Sequence, residues 1–492
     1  MNSTFRKRGL SFGMALALLV SLVPAQAAWA KSGKSAKYVI LMIGDGMGIP
    51  QRMATEEYTG KKLVMDTLPA QGLTTTRAND RFITGSAASA TALASGKKTN
   101  INYIGVDENF TPVATLAELA RDQGKKVGIV SSVSIDHATP AAFYAHVKTR
   151  KMYHEIDVAL AESGFDFFGG GGLKDPQGKK SKAPLGDAIA MARENGYKIV
   201  SDKKTFMNLS PRDGKVIAWN HWLQDAQALP YAMDMGPGDI TLPEFTGKAI
   251  EMLDNKEGFF LMVEGGKIDW ACHANDATAS LENNIAFDKS VQVALDFYRK
   301  HPADTLLVVT GDHECGGLTL GFAGTKYASH FDVLSNQKVS FQKFTDEILE
   351  TFKNRKASET TFANMKPIIQ AAFGLKFEGD AKADPMVLKP FEQEQVVDAF
   401  NRSMNGVLAE NKDPELYILY GGYDPLAVTL THLLSQKAGL GWTSYKHTGI
   451  PVSTSAIGVG SDRFNGYYDN TDIALKIMAI MGIEAKVHLA AQ

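Results

Sequence analysis

Cysteine is almost missing from this chain: Cys272 and Cys315 are two thiols among 492 residues. Two thiols close at most one bridge, which excludes a disulfide framework as the source of stability. Whether they are bonded is left open by the sequence, although each stands beside an acid/histidine cluster. An excess of charge is missing too, with 52 Lys and Arg against 54 Asp and Glu. A balance this near zero excludes a general attraction to nucleic acid or to an anionic membrane surface. Beyond residue 30 no apolar run approaches the roughly 20 residues that cross a bilayer. Internal repeats and low-complexity tracts are absent. What is present, 44% hydrophobic and 22% charged residues, is the composition of an ordinary globular chain. Its length suits one α/β domain with insertions, or two domains.

Residues 1–30 read as a secretory signal. Arg6, Lys7 and Arg8 form a basic start, Met14 to Leu22 is apolar, and Ala28-Trp29-Ala30 sets small residues where a signal peptidase cuts. Ala25-Gln26-Ala27 is a second cleavage site of the same kind. The shortness of the run and its closure at Pro24 argue against a membrane anchor or a buried helix. Cleavage after Ala30 removes three bases and no acid, leaving a mildly acidic protein in a periplasm or outside the cell.

Apolar runs at Tyr38–Ile43, Val127–Val130, Phe259–Val263 and Leu306–Thr310 read as buried strands. Helical periodicity fills Val113–Gln123, Pro243–Leu253 and Ser280–Arg299 between them. The alternation predicts an α/β fold: a central, mostly parallel sheet with helices on both faces. Chemistry in such folds collects at the carboxyl ends of the strands. Three runs end accordingly, in Gly44-Asp45-Gly46, in Glu264-Gly265-Gly266 with Asp269, and in Gly311-Asp312-His313-Glu314. A single Asp after a strand is an ordinary turn or cap residue, and three such clusters are not explained that way.

From 321 to 440 the periodicity becomes mainly helical (Phe341–Phe352, Pro390–Ala409, Pro425–Gln436). This predicts a helical insertion between two parts of a catalytic domain, 31–320 and 441–492. Val452–Val459 resumes the sheet and Thr471–Met481 closes the chain as a helix.

Asp45, Glu264, Asp269, His273, Asp312, His313 and His447 combine carboxylate with imidazole, the donor set of hard and borderline divalent cations. Asp269 and His273, four apart, face one side of a helical turn. His146, His154, His221, His301, His330, His432 and His488 lack such companions and read as satisfied imidazoles. In Gly85-Ser86-Ala87-Ala88-Ser89-Ala90-Thr91-Ala92 the small residues predict a tight turn opening a helix, with Ser86 in its first turn. A serine there is commonly a cap worth about 1 kcal/mol. Beside a two-cation site it reads instead as a nucleophile, with the helix N-terminus favouring phosphate.

Six motifs in order carry a resemblance: Ile43-Gly44-Asp45-Gly46-Met47-Gly48, Ser86 to Thr91, His137-Ala138-Thr139-Pro140-Ala141 with Arg150, Val263-Glu264-Gly265 with Asp269 and His273, Asp312-His313, and His447-Thr448-Gly449. Together they resemble alkaline phosphatase from about Tyr38 to Met481, the insertion aside. The resemblance implies hydrolysis of phosphate monoesters by two Zn2+ ions and one Mg2+. It implies Asp269, His273 and His447 on the first zinc, and Asp45, Asp312 and His313 on the second. Ser86 becomes the in-line nucleophile that forms a phosphoserine, and Arg150 the fork that binds two phosphate oxygens. Asp45, Thr139 and Glu264 hold the magnesium, with His137 counted beside them in the metal-binding set. The insertion resembles the variable loops that crown the active-site mouth or reach the neighbouring subunit, so a homodimer is the implied default, with a large insert blocking that contact as the alternative.

Three positions depart from part of that family. His137 stands where some members have Asp near the third metal, and Trp270 where some have a basic residue, which implies a more weakly held magnesium or another ion. Gly85 stands where many have an Asp that braces the arginine, so Arg150 is expected to be less fixed and phosphate to leave more readily. Related phosphodiesterases, sulfatases and phosphoglycerate mutases are the nearest rivals. The Cys/Ser-x-Pro-x-Arg context of a sulfatase is missing at Ser86. Thr139, Glu264 and Arg150 favour monoesters over diesters. An exported phosphate- or metal-binding protein without turnover has no use for the nucleophile.

Overall fold

Residues 38–44 (YVILMIG) are buried on every side, the signature of a strand at the centre of a covered parallel sheet. A computed structural model describes residues 35–407 and 413–483. The signal sequence predicted over 1–30 and His488 lie outside the described residues. In chain order the strands are β1 (Tyr38–Gly44), β2 (Ala70–Thr75), β3 (Lys126–Ser131), β4 (Phe167–Gly170), β5 (Tyr197–Val200), β6 (Lys215–Trp219), β7 (Phe259–Glu264) and β8 (Thr305–Gly311). Four short ones follow, β9 (Glu314–Cys315), β10 (Thr319–Leu320), β11 (Leu440–Gly441) and β12 (His447–Thr448), then β13 (Val452–Gly458) and β14 (Gly466–Asp469).

Ten strands form one sheet in the order β14-β2-β13-β8-β1-β7-β3-β4-β6-β5. Strands β8 through β5 along that order pair in parallel, and β13 runs against both of its neighbours, β8 and β2. The pleat divides the interior in two. Val39, Leu41 and Ile43 of β1 join one apolar core with Ile129, Phe260 and Val308. Tyr38, Ile40 and Met42 join the other with Leu261, Val263 and Leu307. Helices Ser86–Ser95, Leu116–Asp122 and Asn470–Ile480 contribute to the first core, Leu242–Leu253 and Ala277–Lys300 to the second. The sheet is therefore mostly parallel with helices on both faces.

Register brings the predicted strand ends together. Ile43 is opposite Glu264 on one side and Thr310 on the other, and Gly44 is opposite Gly311. Asp45, Glu264 and Asp312 thus leave adjacent strands at one edge.

The stretch 321–440 is mainly helical, and β10 pairs with β11 at its two ends. Its Leu334, Phe341, Phe373 and Leu430 share a core with Ala271, Ala277 and Leu281 on the two helices that follow β7, and with Ala274 between them. The helix expected over Phe341–Phe352 contains a π-helical stretch at Phe344–Leu349. The helix expected to reach Ala409 stops at Met404, because Gly406 takes φ +67°, a conformation in which a helix cannot continue.

Candidate active site

Ser86 opens the helix Ser86–Ser95 one position inside its cap, Gly85, in the first turn as the sequence suggested and not as the cap. Its hydroxyl bonds no helix N–H and lies 3.4 Å from His313 Nε2. Gly46 (φ +72°) makes the turn after β1, and a Cβ there would lie 2.7 Å from the Asp269 Cα. Only glycine allows the Asp45 turn and the Asp269 helix to approach this closely.

Asp269 and His273 lie on the short helix Lys267–His273 one turn apart, with His273 Nε2 3.3 Å from the Asp269 carboxylate. His273 Nδ1 is 2.6 Å from the Tyr445 carbonyl and His447 Nδ1 is 2.9 Å from the Thr84 carbonyl. A carbonyl only accepts, so both Nδ1 atoms carry a proton, and in the neutral rings both Nε2 atoms present lone pairs. Those two Nε2 atoms are 3.1 Å apart. Two lone pairs facing at that distance repel unless a cation lies between them, and the separation is a little under the roughly 3.3–3.4 Å edge of a tetrahedron with bonds of about 2.0–2.1 Å.

The second group is buried completely. His313 Nε2 is 3.2 Å from Asp312 and 3.4 Å from Asp45. Asp312 Oδ1 accepts from the Gly46 and His313 N–H groups at 3.1 and 2.8 Å, which leaves Oδ2 unpartnered. Ser89 donates to the Asp312 carbonyl at 2.7 Å and receives Asn470 in turn. In the third group Thr139 donates to Asp45 at 3.4 Å, and Ser131 donates to Glu264.

Asp45 Oδ1, Glu264 Oε1, Asp269 Oδ1 and Asp312 Oδ2 are buried without hydrogen-bond partners. Buried carboxylates at one point are costly, and their acidities show it. Burial, then Asp269, pushes Asp45 up to about 7. Burial and Asp45 push Glu264 well above its ordinary range, and burial, Asp45 and Asp269 do so for Asp312. Burial works against Asp269 as well, but His273 and His447 hold it well below the usual range. Three sets have donor atoms close enough to share an ion: Asp269, His273, Cys315 and His447; Asp45, Asp269 and His313; Asp45, His137 and Glu264. The orphaned oxygens and opposed lone pairs fit divalent cations.

Sequence reasoning missed Cys315, which the His447–Cys315 pairing of β12 with β9 carries into the first set. Burial, and then Asp269, pushes its thiol up, and Sγ donates to the Asp269 carbonyl at 3.7 Å, so it acts as a neutral support. Both cysteines are free. Also unforeseen was the grip of 321–440 on the metal helix. Asp276, capping the helix that follows, accepts Gln337 and the Phe341 N–H, and Tyr445, whose carbonyl orients His273, donates its hydroxyl to Leu419 at 2.6 Å. Three of the histidines set aside are satisfied in this way: His146 bonds Gly105 and Glu118, His154 bonds Asp175 and Leu185, and His432 bonds Asn275.

Arg150 is half-buried and its Nη2 donates to His137 Nε2 at 2.7 Å. The His137 ring meets Trp270 edge-on at 5.6 Å, and the buried ammonium of Lys267 lies 4.9 Å from that indole and 3.6 Å over Tyr231. Residue 85 offers Arg150 no side chain, but the guanidinium is not loose, since His137 takes it.

A parallel sheet whose carboxyl edge gathers acids and imidazoles beside a serine at a helix start defines a metal-dependent hydrolase. Within that class the chain belongs to the alkaline phosphatase family, whose model matches residues 36–483, and it is a phosphatase. Alkaline phosphatase 4 of Bacillus subtilis is 32% identical over 470 residues, spanning 90% of this chain and 88% of that protein. The cold-active alkaline phosphatase of a Shewanella species superposes with TM-score 0.74 at 28% identity, over 90% of this chain and 99% of its own. A histidine-to-glutamate variant of the alkaline phosphatase from the Antarctic bacterium TAB5, with Mg bound in its M3 site, is 26% identical with TM-score 0.62, over 92% and 99%. Among the described residues no helix is long and apolar enough to cross a membrane.

Proposed function

We propose that this chain is an exported alkaline phosphatase that hydrolyses phosphate monoesters through a phosphoserine on Ser86, with two zinc ions and one magnesium as resident ions. The observation that carries this reading is the Ser86 hydroxyl, free of any capping role, 3.4 Å from His313 and beside the partnerless lone pairs. Asp269, His273 and His447 would hold one zinc, and Asp45, Asp312 and His313 the other. Asp45, Thr139 and Glu264 would hold magnesium through oxygen donors, the preference of that ion. The TAB5 variant with Mg at its M3 site supports a magnesium position in this family. Bound ions supply the positive charge that favours the Ser86 alkoxide and neutralises the phosphoryl group.

The residues divide the remaining work. Arg150 binds two non-bridging oxygens with its planar fork and fixes the phosphorus opposite Ser86 Oγ. The Oγ–P bond forms as the ester P–O bond breaks and the alcohol leaves. Water then splits the phosphoseryl ester, restoring the Ser86 hydroxyl and releasing inorganic phosphate. Residues 31–320 and 441–492 form the catalytic domain in this reading, 321–440 an insertion, and cleavage after Ala30 precedes export.

The purified mature protein, loaded with zinc and magnesium, is expected to hydrolyse a chromogenic monoester at alkaline pH and to lose that turnover on chelation. A preference for a diester or a sulfate ester would keep the metal site and overturn the reaction class. No turnover of any ester with metals bound would favour a binding protein.

Gly85 yields a second expectation. Its φ of −135° suits any residue, and a Cβ there would meet only Ile101 and His447 at 3.6–3.7 Å, ordinary contact. Gly85→Asp therefore fits and adds a carboxylate on the residue before the nucleophile. Competitive inhibition by inorganic phosphate should tighten several-fold, the effect of about one added hydrogen bond on a charged group. An unchanged inhibition constant would show that Arg150 needs no second brace.

A further inference from the structure

We infer that His137 is a positioning residue for Arg150, and that it spends its single lone pair on the guanidinium instead of on the third cation. The inference rests on the phosphatase reading, which supplies the phosphate that Arg150 holds. Arg150 Nη2 is a donor under all conditions, and it lies 2.7 Å from His137 Nε2, so that nitrogen accepts. A neutral imidazole has one lone pair. With Nε2 accepting, the proton is on Nδ1, and Nδ1 has none to give to an ion. Ligation through Nδ1 would instead put the proton on Nε2, pointing an N–H at an N–H of Arg150 across a contact too short for two donors.

Proximity to Asp45 and Glu264 makes His137 look like a ligand. Asp45, Thr139 and Glu264 offer oxygen donors to a cation without it, and Glu264 Oε1 and Asp45 Oδ1 accept no hydrogen bond. The Nδ1 of His137 is buried without a hydrogen-bond partner; carrying the proton, it can only donate to an oxygen or water of the pocket. The backbone N–H of His137 donates to Ser134 at 2.9 Å, its side chain makes no cap bond to the helix that begins at Ala138, and Trp270 meets the ring edge-on. Arg150 is fixed at its other end by a backbone bond from its N–H to Asn102 at 2.8 Å.

Two near-isosteric variants separate the roles. Gln at 137 sets an amide oxygen near the Nε2 position, which faces Arg150. Asn sets one near Nδ1, which does not. The measurements are calorimetric binding of inorganic phosphate and of magnesium to the zinc-loaded enzyme, alongside KM and kcat for a chromogenic monoester. His137→Gln is expected to bind phosphate within about twofold of wild type, and His137→Asn and His137→Leu about tenfold more weakly, the loss of about one hydrogen bond to a charged group. Magnesium affinity should stay within about twofold in the Gln and Leu variants. Magnesium binding kept by Asn and lost by Gln, with phosphate binding unchanged in Leu, would overturn the inference and make His137 a ligand. Should wild type hydrolyse no monoester, the catalytic reading fails by itself, and the phosphate isotherms still decide the brace.

Discussion

Ser86→Ala should lower kcat for a phosphate monoester by about a thousand-fold or more while leaving the fold intact, because removing a nucleophile stops the covalent route and leaves only the binding and electrostatic contributions. The structure makes this variant unusually clean. Ser86 is inside the helix, not at its cap, and its hydroxyl has one contact, to His313 at 3.4 Å. No buried donor loses its partner when the hydroxyl is removed, so the melting temperature should move by no more than a degree or two. Ser89, three residues on, would be the wrong choice, since it ties the Asp312 carbonyl to Asn470. A labelled monoester quenched in acid should leave phosphate on wild type and none on the variant. If Ser86→Ala kept a tenth of the activity, the phosphoserine route would be wrong whatever the metals do.

Chelation should be as damaging to stability as Ser86→Ala is to turnover. Four carboxylates with buried orphan oxygens share one sheet edge, and bound cations offset both their desolvation and their mutual repulsion. An ion held at a thousand times its Kd adds about 4 kcal/mol to the folded state, so loss of two or three ions should lower the melting temperature by about 10 °C or more. The pH dependence of the stripped protein has a definite sign. Asp45 is raised to about 7 by burial and Asp269, and Glu264 and Asp312 are raised as well. The folded, metal-free chain therefore keeps protons that the unfolded chain gives up near pH 4, and its stability falls as pH rises through about 7. Asp269, held low by its histidines against burial, acts in the opposite sense only below the ordinary carboxylate range. His137 and His313, kept neutral by burial, oppose the trend near pH 6.5 but are two groups against three raised carboxylates. Stripped protein should melt higher at pH 6 than at pH 8. Loaded protein should show a widening advantage over it as pH rises, because ligands bind cations in their deprotonated form. Equal melting of the two forms at pH 8 would mean that the acid cluster holds no ion.

Much of the site was legible because a buried parallel strand needs an uninterrupted apolar run, and the residue that ends the run is then marked. β1, β7 and β8 were found this way, and their ends contain Asp45, Glu264 and Asp312. The period of four placed Asp269 with His273 for the same local reason. Weaker strands escaped. β2 reads AQGLTT and β4 reads FFGG, and neither has a pattern that separates it from a loop until the neighbouring strand supplies its hydrogen bonds. The reversed direction of β13 was equally invisible, although the segment itself was recognised as strand.

The sequence by itself determined the α/β class, the strand-end acids, the helix that starts at the serine and the donor chemistry of the site, because each depends on residues within one or two turns of one another. Only the tertiary structure decided which lone pairs are spent. His273 and His447 are 174 residues apart, and their Nε2 atoms become a candidate cation site only when Tyr445 and Thr84 take the two Nδ1 protons. His137 accepts Arg150, Cys315 supports Asp269 as a neutral thiol, and residues 321–440 pack against the helix that contains Asp269 and His273. A side chain's chemical type is local, but the partner that consumes its one proton or one lone pair arrives from a distant part of the chain, and folding alone makes that choice.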